Sequence, residues 1–196
     1  PYIEEGRRYP GRISNGRGRM FVMNHRSGLD IPITLAHVEA TILSRADLAD
    51  WPVIGMAARR VGTLFVDRQN RSSGAAVIMA MSTALRQGKG IMVYPEGTTY
   101  SGDEVRPFRV GAFKAAQETG AEIIPIGLAY VGEAMSFGDE AFSKHMLRVS
   151  SSKSVKAAIS IGKPIESEGQ SVEDCMNQTR LAMQELVYEA RALHKE

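Results

Sequence analysis

The feature that most narrows the fold is a set of short β-like runs, several of them apolar with no polar residue breaking them. Met20–Met23, Thr41–Leu43, Leu64–Val66, Ile91–Tyr94, Ile123–Tyr130 and Val155–Ile161 read as strands, with Met146–Val149 as a weaker one. A strand with one wet face alternates apolar and polar residues, whereas an unbroken apolar run needs cover on both faces. The stretches between them supply that cover. Ile31–Val38, Val53–Arg60, Ser73–Gln87, Ala112–Thr119 and Val172–Leu193 carry helical spacing. The expected fold class is α/β: a single domain with a mixed, largely parallel β-sheet covered by helices.

The last helix has the clearest pattern. Val172, Cys175, Met176, Thr179, Met183, Leu186, Ala190 and Leu193 recur at spacings of three and four, and Ser171 with Asp174 forms a cap signature. Cys175 lies on that apolar stripe and is expected to be buried and inert. As the only cysteine in 196 residues it makes no internal disulfide and no zinc cluster, which leaves a cytosolic setting as the default. A 43% hydrophobic content suffices for one sizeable core and excludes a disordered chain.

Charge is unevenly placed. Residues 1–19 hold Arg7, Arg8, Arg12, Arg17 and Arg19 against Glu4 and Glu5, a local balance of +3 that leaves the rest of the chain, within a net +2, at −1. Such a segment is either a solvated terminus or a contact for an anionic surface. It has no recognised nucleic-acid-binding motif, so no nucleic acid is expected as partner. No apolar run approaches the roughly 18 residues of a membrane span. The chain opens on Pro1 rather than Met, and any membrane-binding part is expected to precede it. The four histidines show no ligand-like spacing, so no metal site is expected, and no glycine-rich phosphate loop follows a strand.

Three clusters at strand ends carry chemistry. The first is Asn24-His25-Arg26-Ser27-Gly28-Leu29-Asp30. Within one helix, five steps would set His25 and Asp30 about 140° apart, too far to pair. They meet only if His25 closes the strand and Asp30 opens the helix, with Gly28 in the turn and Pro32 in the helix's first turn. A paired carboxylate fixes the imidazole tautomer and leaves the other ring nitrogen as a general base. Asp30 is equally suited to cap the helix. The second cluster, Gly62-Thr63-Leu64-Phe65-Val66-Asp67-Arg68, puts Arg68 at a strand end to meet either an anion or its neighbour Asp67. In the third, Tyr94-Pro95-Glu96-Gly97-Thr98-Thr99, Pro95 and Gly97 force a turn with amides open to an oxyanion, and Glu96 orients that turn or a substrate hydroxyl. Downstream, Arg106 and Arg109 precede a helix and form a second basic wall.

Taken in order, NHRSGLD, GTLFVDR, YPEGTT and IIPIGLAY resemble the four motifs of the glycerolipid acyltransferase family, from about Met20 to Tyr130 with a family-like continuation to Ile165. That family includes the 1-acylglycerol-3-phosphate (lysophosphatidic acid) acyltransferases of PlsC type. The resemblance implies a glycerol-3-phosphate acyltransferase-like fold, with an acyltransferase domain over residues 20–196. It implies that His25 and Asp30 are catalytic: His25 deprotonates a lysolipid hydroxyl that attacks an acyl thioester directly, and coenzyme A or acyl carrier protein leaves. Ser27 is not the expected nucleophile. Asn24, Arg68, Glu96, Gly97, Thr98, Thr99, Arg106 and Arg109 become substrate-binding candidates. No bound cofactor is expected, since acyl-CoA or acyl carrier protein thioester is itself the acyl-donor substrate. Many family members carry arginine where this chain has Thr99. That departure keeps lyso-ornithine lipid beside lysophosphatidic acid as acceptor, with Arg106 and Arg109 as substitute cations. A non-catalytic lipid binder of the same fold is the remaining alternative. A phospholipid product implies a membrane surface as partner, at the cytoplasmic face of a membrane, as in the bacterial inner membrane, with peripheral or anchored attachment.

Overall fold

A computed structural model describes residues 7–45, 55–56, 63–66, 73–132, 135–137, 140 and 142–194. Strand β1 (Met20–Met23) runs up the middle of a seven-stranded sheet, parallel to β4 (Ile91–Val93) on one side and β5 (Glu122–Tyr130) on the other. Beyond β4 lie β2 (Thr41–Arg45) and the edge strand β3 (Leu64–Val66), also parallel. On the far side, β6 (Ala157–Ile161) and the two-residue β7 (Ile165–Glu166) both pair antiparallel with β5. The mixed, largely parallel α/β sheet expected from the unbroken apolar runs is the one observed.

Successive residues of β1 feed two separate cores. Met20 and Val22 pack with Leu85, Phe113, Ile123, Met183 and Val187. This layer is roofed by α2 (Ser73–Arg86), α3 (Gly111–Thr119) and the long α5 (Val172–Ala192). Phe21 and Met23 face Val38, Ile124, Ile126 and Leu128 on the other side. There α1 (Asp30–His37) and α4 (Phe142–Ser150) give cover. Both faces of β1 are therefore dry, which is why its sequence has no polar phase.

Gly127 lets α5 approach β5 closely. A Cβ at this position would lie 2.3 Å from the Leu186 carbonyl carbon and the Val187 nitrogen, so only glycine fits under the helix backbone. The α5 cap forms as its sequence predicts, the Ser171 hydroxyl accepting the Asp174 N–H at 3.0 Å. Cys175 is buried beneath it, and burial raises its thiol pKa.

Several expectations need correction. Met146–Val149 lies within α4 and is not a strand. His145 and Val149, four apart, are buried, while Lys144 and Leu147 face out, a helical spacing hidden inside a four-residue window. The last long strand begins at Ala157, not Val155, and the short β7 had too few residues to show a period. The helix expected over Val53–Arg60 lies outside the described residues apart from Gly55 and Met56, which are helical.

The basic segment is tied to the domain from Tyr9 onward. The Tyr9 N–H donates to the His37 carbonyl at 2.7 Å, and the Glu39 N–H returns to the Tyr9 carbonyl. Arg12 donates to the Gln87 and Gly88 carbonyls and Arg17 to the Thr119 carbonyl. These carbonyls lie at or just past the C-terminal ends of α2 and α3, where cations are favoured. Arg19 reaches Glu122 at 2.8 Å. Arg12, Arg17 and Arg19 are thus engaged by this domain's own helices and sheet. No helix among the described residues is long and apolar enough to cross a membrane.

Candidate active site

β1 ends at Met23, and the chain then folds back on itself before Asp30 opens α1. The His25 Nδ1 lies 2.7 Å from Asp30 Oδ2. The same oxygen accepts the backbone N–H of Arg26 at 2.6 Å and of Ser27 at 2.9 Å. The other oxygen accepts the Tyr130 hydroxyl, at the end of β5, at 2.7 Å. Asp30 is fully buried and meets four donors. It does not cap the helix. Leu29 holds the cap position with no side-chain bond, and the Asp30 carboxylate turns back to the preceding loop.

Since a carboxylate oxygen can only accept, the proton between the pair belongs on Nδ1, a tautomer assigned from the bonding. The His25 Nε2 then carries the lone pair. With 20% of its side chain exposed, the ring is reachable from solvent while Asp30 is not. Tyr94 stacks on the imidazole with ring centres 4.2 Å apart and planes inclined by 24°. Burial, and secondarily the Asp30 carboxylate, hold the hydroxyls of Tyr94 and Tyr130 well above the ordinary tyrosine range. Tyr130 therefore remains a donor to Asp30.

A second buried network supports the first. Glu96 accepts the His25 N–H at 2.8 Å, the Arg106 N–H at 2.9 Å and the Arg26 guanidinium. Arg26 also donates to the carbonyls of His25, Gly102 and Glu104. Its charge is buried, paired and hydrogen-bonded, the conditions under which a buried ion is tolerated. Glu96 thus orients the turn and the His25 loop, and its carboxylate faces protein donors. Asn24 is fully buried, and its amide exchanges two 2.9 Å bonds with the backbone of Leu128, continuing the β1–β5 ladder past the strand end. It is placed to hold the loop against β5.

The turn after β4 is as tight as Pro95 and Gly97 suggested. Gly97 has φ +79°, and its N–H returns to the Tyr94 carbonyl at 3.1 Å, so this amide is bonded within the turn and is not offered to an oxyanion. The Arg109 side chain lies across Gly97, where a Cβ would meet its Nε at 2.2 Å. Arg106 sits over the Tyr100 ring at 5.4 Å, with Nη1 3.2 Å from Glu104 Oε2 and a buried Nε that has no hydrogen-bond partner among the described residues. Thr98 is exposed and Thr99 half-buried beside them. His25, Asp30, Glu96, Gly97, Arg106 and Arg109 are thus linked into one neighbourhood. Arg68 lies outside the described residues. Sequence reasoning gave no role to Arg26 or Tyr130: the arginine follows no spacing rule, and the tyrosine is 100 residues from the carboxylate it binds.

The Acyltransferase family profile matches residues 8–129. The chain is 28% identical over 170 residues to the lyso-ornithine lipid O-acyltransferase of Pseudomonas aeruginosa, covering 84% of this chain and 66% of that protein. It is 29% identical over 131 residues to the 1-acyl-sn-glycerol-3-phosphate acyltransferase of Neisseria gonorrhoeae, covering 67% of this chain and 50% of that one. It therefore spans between half and two thirds of the length of these relatives. The fold matches the crystal structure of PlsC, the 1-acyl-sn-glycerophosphate acyltransferase of Thermotoga maritima, with a TM-score of 0.67 and 20% identity over 94% of this chain and 73% of that one. With the family profile running through β1 to β5 and the loops that carry His25, Asp30 and Glu96, the chain belongs to the Acyltransferase family.

Proposed function

We propose that this protein moves a fatty acyl group from an acyl thioester, carried on coenzyme A or acyl carrier protein, to the free hydroxyl of a lysolipid. The observation that carries this reading is the His25–Asp30 pair, buried at the carboxylate and open at the imidazole. His25 Nε2 takes the acceptor's hydroxyl proton as the oxygen attacks the thioester carbonyl. Asp30, 2.7 Å behind Nδ1, stabilises the imidazolium that forms. The tetrahedral intermediate then collapses, the carbon–sulfur bond breaks, and the imidazolium returns its proton to the departing thiolate. No acyl-enzyme forms, and the scheme uses no metal or bound cofactor. General-base help of this kind contributes roughly a hundredfold to ten-thousandfold.

The acceptor in this reading is 1-acylglycerol-3-phosphate, giving phosphatidic acid, as the name of the Neisseria relative suggests. Arg106, whose side chain is partly exposed, and Arg109 beside the Gly97 turn are the cations this reading assigns to its phosphate. Lyso-ornithine lipid is the second acceptor. It is favoured by Thr99, which stands where many family members carry arginine, and by the wider span of the Pseudomonas match. Either lipid puts the reaction at a membrane surface, here proposed as the cytoplasmic face.

The test is thiol release from palmitoyl-coenzyme A with lysophosphatidic acid, lyso-ornithine lipid or no acceptor, followed alongside lipid mass. Acceptor-dependent release with a matching mass gain, absent in His25→Ala, is expected and names the lipid. Silence with both acceptors, repeated with acyl carrier protein thioester in membranes, would replace this reading with a lipid-binding role.

A further inference from the structure

Helix α4 and the segment before it contribute a second histidine–carboxylate pair, which meets the His25 loop at Ser27 and Gly28. His145 is fully buried. Its Nε2 lies 3.1 Å from the Ser27 hydroxyl and 3.2 Å from the Gly28 backbone nitrogen. Its Nδ1 lies 3.2 Å from Glu140 Oε1, and Arg148, which pairs with the same carboxylate, has Nη2 3.1 Å from Nδ1. Phe137 packs its ring against the imidazole at 4.6 Å and donates its N–H to the Arg26 carbonyl at 2.7 Å.

Serine, histidine and carboxylate in a row have the outline of a nucleophilic triad, but the bonding argues otherwise. Ser27 is fully buried, and its oxygen already accepts the Leu29 N–H. The Gly28 N–H can only donate, so Nε2 is an acceptor shared between that amide and the hydroxyl. A lone pair shared in this way is a clamp on the Ser27–Gly28 turn and a poor base for activating the serine.

What the clamp holds is the next link. The Ser27 N–H is one of the donors that fix Asp30 Oδ2, which in turn holds the His25 Nδ1. We propose that His145 is a positioning residue for acyl transfer: through Ser27 and Gly28 it sets the Asp30 carboxylate that orients His25. Glu140 supplies the acceptor that keeps the His145 proton on Nδ1 and Nε2 free to accept. The proposal rests on His25 being the base, so its test has a limb that does not need turnover.

The variants are His145→Leu, which removes the acceptor, and His145→Gln, whose amide oxygen can take the same two donors. In the thiol-release assay His145→Leu should lower kcat about tenfold to a hundredfold, as expected for a small misplacement of the base, with both KM values within about twofold. His145→Gln should recover most of that loss. Independently, NMR should show faster exchange of the Gly28 and Ser27 amides and a broadened His25 Nδ1–H resonance in His145→Leu, with protection regained in His145→Gln. If the leucine variant keeps wild-type kcat and amide protection, or if glutamine restores neither, the proposal is wrong. If wild type itself transfers no acyl group, the reading of His25 fails, and the exchange and imidazole data still decide whether His145 positions the loop.

Discussion

Asp30→Asn is the sharpest probe of the proton-transfer reading because it changes charge while keeping shape. The asparagine oxygen can take the place of Oδ2 and accept from His25, Arg26 and Ser27. Its amide nitrogen then faces Tyr130, whose hydroxyl can rotate from donor to acceptor. The imidazole tautomer and the loop should therefore survive. The unit negative charge 2.7 Å from Nδ1, just where the imidazolium forms, does not. At an effective dielectric of about 20, two unit charges at that separation attract by about 6 kcal/mol. A neutral hydrogen bond keeps roughly half of a charge-assisted one, so about 3 kcal/mol of transition-state stabilisation should go. That is a loss of about a hundredfold in kcat. The assay is acceptor-dependent thiol release at saturating donor and lysolipid, with thermal melting alongside. KM for both substrates should stay within about twofold, because the carboxylate is buried behind the ring and meets no substrate. A variant retaining more than about a third of wild-type kcat would refute the dyad as the proton-transfer element. A loss confined to KM would move Asp30 to a binding role.

Three further perturbations test the surrounding framework. Arg26→Leu strands the Glu96 carboxylate and the Gly102 and Glu104 carbonyls, so urea unfolding should report a loss of about 3–5 kcal/mol, and a smaller change would mean the ion pair is dispensable. Gly127→Ala forces a methyl into the α5 backbone and should destabilise by about 3 kcal/mol, whereas a neutral result would show that α5 can lift from the sheet. Asp103 is held below the usual carboxylate range chiefly by its hydrogen bond from Arg191. A lowered native pKa stabilises above the unfolded value of about 3.9 and is lost as the pH falls through the native one. The melting-temperature advantage of wild type over Asp103→Asn should thus be constant near neutrality and close below about pH 4, and an advantage that persists in stronger acid would contradict the assignment.

What the sequence could reveal was set by how local each cause is. The sheet was legible because burial on both faces leaves unbroken apolar runs, as in Met20–Met23 and Ile123–Tyr130. The dyad was legible because His25 and Asp30 are five residues apart, and only one backbone path joins them. Arg26 gave no such signal: its partners Glu96, Gly102 and Glu104 are 70 or more residues away, and a buried arginine reads as surface from sequence alone. His145 was hidden for the same reason, inside a helix whose apolar run looked like a strand. Charge counting located Arg12, Arg17 and Arg19 in a basic segment, but formal charge carries no trace of the carbonyl and carboxylate partners that the fold provides. The oxyanion expectation at Gly97 placed the turn correctly and missed that the turn closes on its own amide.

The way Glu96 joins the two halves of the site bears on how acceptor preference can change. Its bonds to His25 and Arg106 are both made to main-chain N–H groups, so neither depends on which side chain follows. Exchanging the side chains of Thr98, Thr99, Arg106 or Arg109 leaves that bracing in place, since every residue except proline offers the same amide. The His25–Asp30 loop is thereby a fixed cartridge, and the rim around the turn an interchangeable fitting. Under the proposed reaction, a scaffold wired in this way would drift from one lysolipid headgroup to another by rim substitutions alone, without rebuilding the His25–Asp30 pair.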